Sequence, residues 1–223
     1  MKIRISHLFA GLALLAGIVL LPTQSPAQSY TFTTLHSFDA INNGTNADGA
    51  FPWRALVLSS NRLYGTTFNG VAFSNGTVFA VNTDGTGFTN LHTFSARTGI
   101  FHTNYDGAQP FAGLVLSGNT LYGTTGVAGP AGRGTIYAIN TDGGGFTNMH
   151  TFSGSADGAS TTAGLVLSGD TLYGASQGGG SNGFGMLVAL KTDGSGYTNL
   201  YSFPTGNSGI NSEGGQPVAG MIV

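Results

Sequence analysis

Landmarks recur in this chain at intervals that never vary, and that regularity limits the possible folds more than any other feature. Leu63-Tyr64-Gly65 returns as Leu121-Tyr122-Gly123 and Leu172-Tyr173-Gly174, and Thr83-Asp84-Gly85 returns as Thr141-Asp142-Gly143 and Thr192-Asp193-Gly194. From each Leu to the following Thr is 20 residues, and from that Thr to the closing Phe94, Phe152 or Phe203 is 11. Only the stretch from a closing Phe to the next opening glycine changes. Starting from Phe38, the gaps before Gly49, Gly107, Gly158 and Gly214 are 11, 13, 6 and 11. Paired strands demand fixed lengths, because one inserted residue turns every side chain to the wrong face. Loops between structural units tolerate insertions.

Each unit reads as four strands. The first is an apolar run, Ala55-Leu56-Val57-Leu58, with Leu114-Val115-Leu116 and Leu165-Val166-Leu167 as its counterparts. Its lack of alternation predicts an innermost strand buried on both faces. A two-residue turn at Ser60-Asn61, Gly118-Asn119 or Gly169-Asp170 leads into the Leu-Tyr-Gly strand. A third strand over Gly76–Asn82 follows, and the Asp-Gly turn returns the chain into a fourth over Phe88–Phe94. In that fourth strand simple alternation puts His92 on one face with both flanking Phe residues. Four-strand units of 51 to 58 residues predict an all-β fold of β-propeller-type blades rather than a solenoid or a plain sandwich. Full units span 49–106, 107–157 and 158–213, with partial ones at 30–48 and 214–223.

At its ends the array reads as one fourth-type strand (Tyr30–Phe38) and one first-type strand (Pro217–Val223). These cannot pair with each other without the two middle strands. The expectation is therefore a fragment of a longer closed propeller or an open arc, the latter able to self-associate through its blade edges.

The pattern from Gly107 to Thr125, Gly-x-x-Pro-x-Ala-Gly-Leu-Val-Leu-Ser-Gly-Asn-Thr-Leu-Tyr-Gly-Thr-Thr, resembles the GloVer (Gloeo/Verruco) tandem repeat, as does its continuation from Gly134 to Gly143. The resemblance covers essentially the whole chain after the N-terminal segment. It implies an exported bacterial surface protein with kelch-like repeats and carries over no catalytic motif. The third unit departs most, with Ser160-Thr161 in place of Gln-Pro and Ala175-Ser176 in place of Thr-Thr.

The N-terminus reads as a secretory signal. Lys2 and Arg4 precede a 14-residue apolar stretch, Leu8–Leu21, and Ser25-Pro26-Ala27 offers small residues for cleavage after Ala27. Fourteen residues are short of the roughly 20 that span a bilayer, and no second such stretch follows. Residues 1–27 are thus expected to leave a secreted or cell-surface repeat domain over 28–223 with no membrane span. Composition narrows the partners. Charged residues are 7% of the chain and Lys plus Arg number 7, so no basic patch is available for nucleic acid. There are no cysteines, which removes disulfides, thiolate metal sites and a cysteine nucleophile.

Repeated polar residues read as architecture. His36, His92 and His150 recur once per unit, and Tyr201 keeps the ring without the ligand nitrogen, so they are read as packing rather than as a metal set. Asp84, Asp142 and Asp193 sit in Asp-Gly turns. Asp48, Asp106, Asp157 and Glu213 precede the opening glycines and read as turn chemistry too. No calcium-loop cluster, nucleophile elbow or phosphate loop occurs. No cofactor, metal or catalytic residue is implied. Departures from the repeat are where recognition is expected: Arg54 stands where other units have Ala112, Ala163 and Ala219, next to Trp53, and the longest inter-unit loop holds Arg97, Phe101, His102 and Tyr105. The function expected is non-enzymatic adhesion, matrix structure, or recognition of an extracellular glycan or protein. The alternative is a propeller lyase or hydrolase whose active residues lie in further blades.

Overall fold

Twelve strands form three separate four-stranded antiparallel sheets, each built in simple up-and-down order from one repeat unit. The computed structural model describes residues 31–43, 45–71, 75–154, 156–205, 214–218 and 220–221. The proposed signal segment and its cleavage position lie outside these. By internal contacts the chain divides into Met1–Thr33 and Thr34–Val223, and the fold is that of the second unit.

The first sheet comprises β1 (Val57–Ser59), β2 (Arg62–Thr67), β3 (Thr77–Asn82) and β4 (Thr89–Thr93); the second β5 (Val115–Ser117), β6 (Thr120–Thr125), β7 (Thr135–Asn140) and β8 (Thr147–Thr151); the third β9 (Val166–Ser168), β10 (Thr171–Ser176), β11 (Met186–Lys191) and β12 (Thr198–Ser202). Ser59 pairs with Arg62, so Ser60-Asn61 is the expected two-residue turn, with Ser60 at φ 54° as the favoured hairpin geometry requires. The fold is all-β and its sheets stack as propeller-like blades. Among the described residues there is no helix and no closed barrel.

Stacking is visible in the core. Tyr64, Val78, Ala80 and Phe94 of the first blade pack with Leu114, Leu121, Tyr137 and Ile139 of the second. Tyr122, Ile136 and Phe152 of the second blade then pack with Leu165, Leu172 and Leu190 of the third. Within β7, Tyr137 and Ile139 face one neighbour while Ile136 faces the other. The third strand, not the first, is thus the one buried on both faces. No first strand is doubly buried: β1, β5 and β9 are at most half-buried, and Leu56 and Leu58 are 45% and 58% exposed, although Leu114 and Leu165, just before β5 and β9, are buried. The reason is position: β1 is a three-residue edge strand, whereas β7 lies between two strands and two blades.

The fourth strand departs from simple alternation as well. Pairing shifts between Val78↔His92 and Phe79↔Asn90, leaving Leu91 as a bulge, and the same shift recurs at Met149 and Leu200. A bulge inserts one residue and reverses the facing pattern beyond it. Phe146 therefore packs against Phe94 of the preceding blade while His150 stacks on Tyr197 of the following one. His92 shares a face with Phe94 but not with Phe88, which corrects the expected grouping. Against the two end strands expected from the sequence, the described residues of 31–38 and 214–221 carry no strand.

Two glycines show why the landmarks are rigid. A Cβ on Gly123 would lie 2.4 Å from the Tyr137 hydroxyl, so the strand-pair partner Tyr137 can fold across the gap only if the position is bare. A Cβ on Gly107, at φ +90°, would lie 2.1 Å from Thr125 Oγ1. That hydroxyl is itself paired with Thr135 Oγ1 at 3.0 Å in a fully buried contact.

Tyr137 is fully buried with no partner for its hydroxyl among the described residues, and burial pushes its pKa well above the usual tyrosine value. The first blade has Phe79 at the equivalent place. Tyr137→Phe should therefore raise stability by about 1 kcal/mol by removing an unpaired buried hydroxyl. Urea midpoints of the two proteins measure this, and an unchanged or lower midpoint for the variant would contradict the assignment.

Candidate functional site

Each unit enters its first strand through a short segment beginning at the opening glycine. Backbone and hydroxyl bonds fix where that segment lies. Gln109 N donates to Asn75 O at 2.8 Å, Ser160 N to Arg133 O at 3.0 Å and Gln216 N to Phe184 O at 2.7 Å, one bond for each junction with the preceding blade. The buried Thr66 hydroxyl donates to Ala112 O at 3.1 Å, and the Thr124 hydroxyl to Thr161 O at 3.2 Å. These bonds hold the four entry segments around a shared space.

Two adjoining clefts occupy it, about 330 and 560 Å³ in volume, both lined by Arg54, Thr162 and Val218. The first also meets Ala55, Ala112, Gly113, Gly164 and Gly220; the second meets Phe111 and Gln177. Such volumes fall in the usual range for small-ligand sites, roughly 300–1,000 Å³. Phe111, Thr162 and Val218 are equivalent positions of successive units, and Trp53 is the first-unit counterpart. This column carries four different residues, whereas its neighbours hold mostly Ala, Gly and Leu. Sequence reading singled out Arg54 and Trp53 but missed Phe111, Thr162 and Gln177. The diversity of that one column was the available signal for Phe111 and Thr162.

Aromatic rings gather at the first-unit side. Trp53 stacks on Phe68 at 4.7 Å and meets Phe111 edge-on at 5.5 Å and Phe51 at 5.6 Å. It remains 53% exposed. Arg54 Nε donates to Phe111 O at 2.8 Å, and its guanidinium carbon lies 4.7 Å from the centre of the Phe111 ring. The remaining N–H groups of the guanidinium fork lie beyond that bond. Thr162 Oγ1, buried from solvent, has no hydrogen-bond partner among the described residues.

The other expected residues lie apart. Arg97, Phe101, His102 and Tyr105 follow β4, at the opposite edge of the sheet from β1, so about 14 Å of strand spacing separates the two groups. A small loop closed by the Thr98–Thr103 bridge presents Ile100 and Phe101 to solvent, with His102 at φ 50°. Tyr105 is exposed, and its carbonyl accepts a bond from Asn148 Nδ2 at 3.1 Å.

Histidines and acids form a different, repeated device. His36 stacks on Phe88 at 3.7 Å, His92 on Phe146 at 3.9 Å and His150 on Tyr197 at 3.7 Å, all nearly parallel. His36 Nε2 donates to Asp48 at 2.8 Å and His92 Nε2 to Asp106 at 2.9 Å. Asp48 also accepts from Asp39 N, Asp106 from Ser95 N and Asp157 from Ser153 N. These acids are thus more than turn residues, since they tie the end of the fourth strand to the next unit. Burial pushes Asp106 up, but the bonds from His92 and Ser95 outweigh it and hold the carboxyl below its usual value. One signal in the sequence marked the pairing: Tyr201 replaces His in the unit where Glu213 replaces Asp. Asp84, Asp142 and Asp193 behave as expected, each accepting from the backbone two residues on. Among the described residues no group of three or more His, Asp or Glu is placed to hold a metal ion.

Fold and site together define a repeat protein of propeller-like blades with a cleft where entry segments meet. The chain belongs to the Gloeobacter/Verrucomicrobia repeat family, whose model matches residues 23–222. No curated protein matches the sequence. Among solved structures, the crystal structure of a nidogen/laminin complex aligns at 13% identity and a TM-score of 0.39, over 64% of this chain and 43% of that one. The tricorn protease aligns at 14% identity and a TM-score of 0.31, over 65% of this chain and 18% of that one. The chain thus spans under half the length of either.

The third histidine is the exception in its set. His150 Nε2 is buried without a hydrogen bond among the described residues, and Asp157 stands 3.6 Å away. Burial lowers its pKa, and the attraction of Asp157 only partly offsets this. A group with a depressed folded-state pKa binds its proton less readily than in the unfolded chain. Stability is then complete above the unfolded value of about 6.5 and declines as pH falls through the folded value. His150→Phe, which keeps the ring, should show a shallower loss of melting temperature between pH 7 and 5 than wild type. Parallel curves would refute the burial argument.

Proposed function

We propose that this is an exported, non-enzymatic repeat protein that recognises extracellular glycans at the cleft beside Trp53, Arg54 and Phe111. One observation carries the reading: an exposed tryptophan braced by Phe68 and by Phe111, a ring that itself lines a cleft together with Arg54 and Gln177. Sugar rings present a flat C–H face and a hydroxyl edge. An aromatic shelf suits the former, and Arg54 and Gln177 suit the latter. Rigid aromatic anchors also lose little conformational freedom on binding.

Sparse charge fits the same use. Seven Lys and Arg in 223 residues offer little attraction to nucleic acid, and affinity must come from stacking and hydrogen bonds. Export rests on the N-terminal residues alone: two cations, a 14-residue apolar run and small residues before Gln28. Expression with the native N-terminus in a bacterial host should deliver a secreted chain beginning at Gln28, as N-terminal sequencing would show. A retained Met1 would remove the signal assignment.

A glycan array tests recognition. Wild type should bind a subset of glycans, and Trp53→Ala should weaken that binding about ten-fold or more, the usual cost of removing an aromatic anchor. Binding to no glycan would remove this reading. Binding unaffected by Trp53→Ala would move the site elsewhere.

A further inference from the structure

We infer that the cleft selects acidic glycans, with Arg54 pairing with the carboxylate of a uronic-acid residue whose ring lies against Phe111. The inference rests on the glycan reading above and names the ligand class of the same site. Arg54 is the one charged side chain among the described residues lining either cleft. Its three sister positions are alanine, so blade packing does not require a long cation here. The side chain is exposed, yet it is held in place by the Nε bond to Phe111 O and by the underlying ring. A guanidinium anchored through Nε presents its terminal groups as a fork, the geometry that matches a carboxylate.

The rest of the lining agrees with a sugar bearing that carboxylate. Phe111 is both the ring beneath the guanidinium and a wall of the larger cleft, so a saccharide stacked on it brings its substituents beside Arg54. Gln177 also lines the larger cleft and offers an amide to sugar hydroxyls. An acidic peptide would also offer carboxylates, but it has no flat C–H face to use the aromatic shelf. Neutral glycans use the shelf and leave Arg54 unpaired. The combination is what points to an acidic sugar.

Calorimetric titration of the whole protein with oligogalacturonate, and separately with its fully methyl-esterified form, tests this. Esterification removes the charge and keeps the rings. The acid should bind about ten-fold or more tightly than the ester, the difference expected of a charged hydrogen-bonded pair. Arg54→Gln should abolish that preference, and Arg54→Lys should keep part of it. Melting curves of both variants check that they remain folded. The preference should also shrink as salt is raised. Equal affinity for acid and ester in wild type would overturn the acidic inference and leave glycan recognition standing. Acid preference retained by folded Arg54→Gln would overturn the role of Arg54. Binding of neither form, with neutral array glycans still bound, would overturn the inference alone; binding of no glycan at all would remove both readings.

Discussion

Each sheet in this chain has two apolar faces and only a neighbouring sheet to cover them, so face-to-face stacking is the contact on which everything else depends. The bulge in the fourth strand makes one strand serve two neighbours. Before it, Phe146 meets the preceding blade; after it, His150 and Phe152 meet the following one. A strand with plain alternation would direct all its rings to one side. The invariant 11-residue interval from the Thr of each Asp-Gly turn to the closing Phe follows, since it counts the turn, the bulge and both ring positions.

Polar groups reinforce the same junctions without many ions. The junctions between the first and second and the second and third blades each carry a backbone bond into the entry segment and a carboxylate, Asp106 or Asp157, that gathers donors from the end of the fourth strand. Buried hydrogen bonds to a charged acceptor are each worth about 1.5–3 kcal/mol, more than an exposed ion pair provides. A surface nearly free of Lys and Arg is compatible with this, because stability comes from buried directed bonds and stacked rings. The third unit loosens the scheme: Val188 replaces the ring found at Phe79 and Tyr137, and Ser176 replaces a paired threonine.

The cleft arises from the repeat and differs from it. Equivalent entry segments converge because every blade is joined to the last in the same way. Their side chains can vary because they point into open space rather than into a sheet interface. Variation there costs little stability, and it is where Arg54 of the first unit and Phe111 of the second create a cationic and aromatic wall, with Trp53 packed beside Phe111.

Much of the architecture was legible in the residues. Fixed intervals dictated four strands per unit, two-residue turns at Ser60-Asn61 and its counterparts, and the Asp84 turn, since all of these depend on neighbours close in sequence. Arg54 stood out because its sister residues are alanine. Burial of β3 rather than β1, the bulge at Leu91 and the convergence of Phe111, Thr162 and Val218 required the tertiary structure. The physical reason is that a sequence period records distances along the chain, whereas burial and clefts depend on how successive sheets lie against each other. Trp53 and the Phe101 loop show the difference. Both depart from the repeat equally in sequence, and only the strand order sets them at opposite edges of one blade.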